Sequence, residues 1–330
     1  MSSASRPRHS WEGYVQMMQM SLKRLWIFVE GSRDRPFYAG ICDSNASLGS
    51  VPYEVALAEE VPGFSGNGKS ALLGLYCYLS DRRMLISSSA GGVAATLFML
   101  DKDLDDSRRT MARSPHVVYT HYFSMENYLF RFGKLCTALA AAARLDAQSV
   151  RKQVGTDPVA WTRRAATNWK PWVKYCVLVN QLGLARLRTY GLNTSPMHGR
   201  PYGAVDGGHQ RSLYAAARTN SGLRASEFRG HLHRVSGYVD RLYSRRQHDR
   251  VFNGKWYKTF LAEDAKRAAG GRHYSRARLQ ERIADCLLTT LNFRGRWAAR
   301  FHRAIDRTVG LLEDGLRPGS TPGRPRVGVR

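Results

Sequence analysis

The chain has 330 residues, a formal net charge of +25 and 43% hydrophobic residues, enough to bury one sizeable core or two smaller ones. So large a positive charge goes beyond what solubility needs and points to a polyanionic partner. Five scattered cysteines with no CxxC spacing (Cys42, Cys77, Cys136, Cys176 and Cys286) argue against a disulfide framework and read as reduced residues of a cytoplasmic protein. The longest apolar stretch, 90–100, is too short for a bilayer, and MSSASRPRHS has no apolar core, so neither membrane insertion nor secretion is expected.

Residues 11–22 read as a short helix that leads into Leu25-Trp-Ile-Phe-Val29, a continuous apolar run ending at Glu30-Gly31, as expected of a strand covered on both faces. A helix follows over 33–44 and a second strand over 53–58. Next come the glycine-rich segment 63–69 and a helix over 70–79. The apolar run 94–100 ends in Asp101-Lys-Asp103, and a strand over 117–123 ends at Ser124-Met-Glu126. This alternation predicts an α/β fold with a mostly parallel sheet flanked by helices, whose sites lie beyond the carboxyl ends of the strands.

Beyond residue 130 the periodicity becomes mainly helical. Residues 1–130 carry 13 Lys and Arg against 13 Asp and Glu, whereas 131–330 carry 38 against 13. The expected division is an N-terminal helix (1–24), an acid-containing α/β domain (25–130), a basic helical domain (131–314) and a disordered basic tail (315–330). One part would do chemistry while the other grips a phosphate backbone.

Glu30, Asp101 with Asp103, and Glu126 each follow a predicted strand. If those strands are neighbours, the acids converge. Like charges that close raise one another's pKa or demand a counter-ion, which Mg²⁺ or Mn²⁺, hard ions that prefer oxygen ligands, would supply. Any one of these acids could instead be a helix cap or a surface charge, as Asp105 and Asp106 are read.

With Val29-Glu30-Gly31 and Asp34, Asp101-x-Asp103, and Ser124-x-Glu126-Asn127-Tyr128-Leu129, the chain resembles the TOPRIM family. The likeness is to the TOPRIM domains of the overcoming-lysogenization-defect nucleases and of smaller stand-alone effectors of bacterial phage defence. It covers about a hundred residues and implies a TOPRIM-like fold with a two-metal endonuclease site. In that site Glu30, Asp101 and Asp103 are central ligands, and Asp34 and Glu126 help hold a second Mg²⁺ or Mn²⁺. Gly31 and Ser124 support the site from behind, and Lys69 faces the phosphate. The resemblance also implies a DNA or RNA substrate and a separate ABC-type ATPase partner, and it is compatible with a homo-oligomer.

Two other readings compete. Residues 63–70 match G-x-x-x-x-G-K-S, the P-loop expression, with Phe98-Met-Leu-Asp101 as a Walker B-like strand. Against this, Glu59, Glu60 and Pro62 precede the loop where an apolar strand should deliver it, and the other acids go unexplained. The non-catalytic alternative is a nucleic-acid- or partner-binding protein holding a structural ion. Candidate nucleic-acid contacts are Lys170, Lys174, Arg245, Arg246, Lys255 and Lys258, which alternate with aromatics, although the same spacing also suits helices that bury the ring and expose the charge. His231 and His233 lack companions at zinc spacing.

Overall fold

The computed structural model describes residues 10–63, 68–105, 111–187, 189–270 and 275–315. The fold is α/β: among the described residues, a five-stranded, mostly parallel sheet with 13 helices and a helical C-terminal region. Its contacts divide the chain into two compact units. The first takes Met1–Asp101, Ala112–Thr120 and Phe293–Arg330, and the second takes Lys102–Met111 and His121–Asn292.

In the first unit α1 (Trp11–Met20) starts at Ser10, whose hydroxyl accepts the Gly13 N–H at 3.1 Å. The sheet is built from β1 (Leu25–Val29), β2 (Tyr53–Leu57), β3 (Ile86–Ser89), β4 (Gly92–Leu100) and β5 (Val117–Tyr119), in the order β2-β1-β4-β3, with β5 also on β4. Only β3 runs antiparallel to its neighbour. Every residue of β1 is buried, as the uninterrupted apolar run requires of a central strand covered on both faces.

Phe28 and Phe98, partners across β1 and β4, stack with ring centroids 5.1 Å apart, and Tyr14 of α1 and Tyr76 on α3 (Gly68–Asp81) pack against them. Phe37 and Tyr38 of α2 (Asp34–Asp43) instead meet Phe301 of the chain's last helix, Ala299–Gly315. That helix is also pinned by Asn45, which donates to the Asp306 carboxylate at 2.9 Å, and by Arg307, which donates to the Pro115 carbonyl at 2.8 Å.

The second unit is helical: α4 (Met125–Phe132), α5 (Leu135–Ala143), α6 (Ala147–Val154), α7 (Pro158–Asn168), α8 (Lys170–Gln181), α9 (Gly207–Ser221), α10 (Ala225–Ser244), α11 (Gly254–Ala268) and α12 (Arg276–Thr289). Asp146, Asp157, Asp206 and Asn253 each accept backbone N–H groups at the start of their helices, satisfying donors that helix ends leave unpaired. Trp161, Trp169, Trp172, Trp256 and Tyr257 are fully buried. The rings of the aromatic and cationic stretches therefore build the core and are not available for stacking on bases.

These units do not follow the boundary expected at residue 130. Residues 121–130 belong to the helical unit, and the last helix packs in the sheet-containing one, because its Phe301 completes the aromatic cluster around Phe37. The strand expected over 117–123 ends at Tyr119, and β3 was not anticipated. Apart from Gly315, the tail expected over 315–330 lies outside the described residues.

Candidate metal centre

Because β1 and β4 are parallel and adjacent, with Val29 opposite Met99, the residues that follow them emerge at the same edge of the sheet. Glu30 follows β1 and Asp101 follows β4, and the Asp101 backbone N–H donates to Glu30 Oε1 at 2.7 Å. A second acid closes in from the next turn. Asp34 donates its own N–H to the Gly31 carbonyl at 2.9 Å, while its Oδ2 accepts the Gly31 N–H at 2.8 Å. The E-G-x-x-D pattern is thus a reciprocal turn that fixes Asp34 behind Glu30 and starts α2.

The glycine-rich segment arrives at the same place. A Cβ on Gly68, the first residue of α3, would stand 2.5 Å from the Glu30 carbonyl oxygen. Only glycine tolerates that approach, which brings the N-terminus of α3, with Lys69 in its first turn, against the backbone of Glu30. The feed into this segment is unlike a P-loop. A 3-10 turn, Ala58–Glu60, separates it from β2, and the Glu60 carboxylate holds the Arg35 guanidinium at 3.0 Å and accepts the Leu57 N–H at 3.0 Å. Residues 64–67 of that motif lie outside the described residues.

The remaining expected ligands belong to the second unit. Asp103 has φ of 49°, in the left-handed region, and its N–H donates to the Phe123 carbonyl at 2.8 Å. Glu126 lies in the first turn of α4 and does not end a strand as expected. It is 2% exposed, and both carboxylate oxygens have partners: Ser124 Oγ donates to Oε2 at 2.8 Å, and Lys258 Nζ to Oε1 at 3.3 Å. Burial pushes its pKa up, but Lys258, Lys255 and the Ser124 hydroxyl outweigh that and hold it below the ordinary carboxylate value.

Beside it lies a polar cluster that the sequence did not suggest. The fully buried Asp249 accepts from Arg131 at 2.6 Å, Tyr257 at 2.7 Å and Asn127 at 3.2 Å. Asn127 also donates to the Phe252 carbonyl at 3.0 Å, and its own side-chain oxygen accepts the Ser124 N–H. The E-N-Y-L stretch is therefore tied to the segment around Asp249, with Tyr128 receiving the His121 N–H at 2.7 Å. The only hint in sequence was one acid inside the basic run Arg245-Arg-Gln-His-Asp249-Arg250.

Of the expected nucleic-acid contacts, Lys258 is buried on Glu126, whereas Lys170 and Lys174 share Asp240 at 2.5 and 2.9 Å. Arg245, Arg246 and Lys255 are exposed. Among the described residues no three or more His, Cys, Asp or Glu side chains form a group placed to hold a metal ion. What the first unit brings together is the Glu30 carboxylate on the Asp101 main-chain N–H and, in the turn that follows β1, the Asp34 carboxylate on the Gly31 N–H; carboxylate oxygens of this kind are the ligand type a hard cation prefers. No helix among the described residues is long and apolar enough to cross a membrane. No protein-family model matches the chain, and no curated protein matches it.

Proposed function

We propose that the chain is a metal-dependent nuclease of the TOPRIM type, with Glu30, Asp34 and Asp101 as the residues that hold Mg²⁺ or Mn²⁺. The observation that supports this reading is the Asp101 backbone N–H donating to the Glu30 carboxylate at 2.7 Å, since it joins the residues that follow two adjacent parallel strands at the edge where α/β sheets place their sites. When bound, such an ion polarises a phosphodiester and lowers the pKa of a water. The chain's own residues then orient the carboxylates through backbone N–H groups, and Lys69 stands in the first turn of α3 to offset phosphate charge. Asp103 and Glu126 enter through the resemblance. Glu126 already has Lys258 to balance its charge, so its part in holding a second ion is a separate proposition.

The nucleic acid would be held by the basic helical unit. A separate ABC-type ATPase partner, a role in phage defence and a cytoplasmic location rest on the resemblance and on composition. The P-loop reading draws on the start of α3 against Glu30 and predicts saturable nucleotide binding that Lys69→Ala abolishes.

The test is incubation of the purified full chain with single- and double-stranded DNA and RNA, with Mg²⁺, Mn²⁺ or EDTA. Glu30→Gln keeps an oxygen to accept the Asp101 N–H and removes only the charge. It and Asp101→Asn should reduce cleavage by at least about 100-fold while leaving nucleic-acid binding intact. A parent chain that cleaves none of these substrates with any divalent ion overturns the proposal and leaves the binding reading standing.

A further inference from the structure

The helical unit contains a cleft of about 720 Å³ lined by Lys174 of α8, by Gln210, Arg211 and Tyr214 of α9, and by Arg229, Leu232, His233 and Ser236 of α10. The spacing explains the arrangement. Residues 210, 211 and 214 share one face of α9, and residues 229, 232, 233 and 236 share one face of α10, so each helix turns one arginine to the same cleft. Tyr214 sits edge-on to Tyr175 at 5.5 Å and helps build the wall.

No Asp or Glu lines the cleft. Asp240, one turn beyond Ser236, is shared by Lys170 and Lys174, and Asp206, at the start of α9, is taken by the Gly208 and His209 N–H groups and the His209 ring. Lys174 is fixed in direction, donating to Ser236 Oγ at 2.7 Å and to Asp240 at 2.9 Å. Arg211 and Arg229 are exposed and have no ion-pair partner among the described residues. Two uncompensated guanidiniums facing one cavity repel each other until an anion enters, and guanidinium donors suit the paired oxygens of a phosphate.

We propose that this cleft binds the sugar-phosphate backbone of a single polynucleotide strand, with Arg211 and Arg229 as the phosphate contacts and Lys174 as a fixed cation beside them. A cleft of this volume matches a small-molecule-sized segment, that is, a few nucleotides of one strand. The inference deepens the nuclease reading by locating the grip on the substrate. It involves none of the acids of the first unit.

The test is fluorescence anisotropy of a labelled single-stranded oligonucleotide with the full chain in EDTA, where no metal-dependent cleavage occurs, at salt from 0.05 to 0.2 M. Arg211→Ala with Arg229→Ala should weaken binding about tenfold or more and lower the salt slope by about 1.4. The control is Arg234→Ala with Arg241→Ala, which removes the same charge from exposed positions of α10 that point away from the cleft and should have much the smaller effect. The Arg211→Lys, Arg229→Lys pair should retain most of the affinity. Equal losses from cleft and control pairs, parent-like binding by the cleft pair, or duplex preferred to single strand would each overturn the proposal. A parent that binds through Arg211 and Arg229 but never cleaves would remove the nuclease reading and leave the cleft in place.

Discussion

Gly68 and the Glu30 carbonyl approach each other so closely that a Cβ on the glycine would stand 2.5 Å from the oxygen, with the Glu30 carbonyl carbon and Cα at 3.2 Å. All three atoms are backbone, so no side chain can rotate away. Gly68→Ala should destabilise the chain by about 1–3 kcal/mol and push the start of α3, with Lys69, away from Glu30. Gly74, exposed six residues further along the same helix, would place its Cβ 3.6 Å from Trp11, an ordinary contact. Gly74→Ala should therefore stabilise by roughly 0.5–1 kcal/mol through helix propensity. Thermal melts of the two variants check the opposite signs, and a stable Gly68→Ala protein would mean that the approach is looser than described.

What could be read in the sequence is what local pattern controls. The apolar runs of β1 and β4 fall where the alternation of strand and helix puts them, so the emergence of residues 30 and 101 at one edge of the sheet was legible, whereas the Asp101 N–H donated to the Glu30 carboxylate was not. Nor was β3, because Ile86-Ser-Ser-Ser89 is a polar strand that pairs with the start of β4. The strand expected through residue 123 stops early because distant groups claim its backbone: the His121 N–H goes to Tyr128 and the Phe123 N–H to the Asp249 carbonyl. The partner of Glu126 is 132 residues away. No spacing rule links Glu126 to Lys258, and none marks Asp249 as the acceptor of three polar side chains.

That Glu126–Lys258 pair leads to a stability prediction. Both side chains are buried, so Glu126→Gln leaves an uncompensated ammonium in the interior and should cost about 3–5 kcal/mol, whereas replacing both partners by Glu126→Gln with Lys258→Met should recover much of that loss. Since the fold holds the Glu126 pKa below its ordinary value, its stabilising contribution is complete above that value and disappears as the pH falls through the folded-state value. Urea unfolding of parent, single and double variants at pH 7 and pH 4 measures this. A single variant as stable as the parent would show that the lysine finds water or another partner.

Three buried histidines add a second acid-sensitive component at higher pH. Burial lowers the pKa of His116, His198 and His248 from the ordinary 6.5; Thr96, bonded to His116 at 2.7 Å, and Asp249 beside His248 act in the opposite direction. The unfolded chain takes up protons near pH 6.5 while the folded chain does not. Stability is therefore complete above that pH and declines as pH falls through the folded-state values, with each histidine contributing a slope of at most about 1.4 kcal/mol per pH unit. His248→Gln should flatten the dependence between pH 7.5 and 5.5 whatever it does to absolute stability. An unfolding midpoint with no slope in that range would rule the mechanism out.

Asp103 allows backbone and charge to be separated. Its φ of 49° is a conformation that aspartate and asparagine tolerate and β-branched residues resist. Asp103→Asn should leave stability within about 1 kcal/mol of the parent because it keeps both the backbone preference and the N–H that meets the Phe123 carbonyl, while Asp103→Val should lose about 1–2 kcal/mol or more. If the carboxylate serves phosphodiester cleavage, Asp103→Asn should nevertheless lose activity as completely as Glu30→Gln, with its melting temperature unchanged. If it cleaves like the parent, Asp103 is there to turn the chain after β4, and the acids that do the chemistry are Glu30, Asp34 and Asp101 alone.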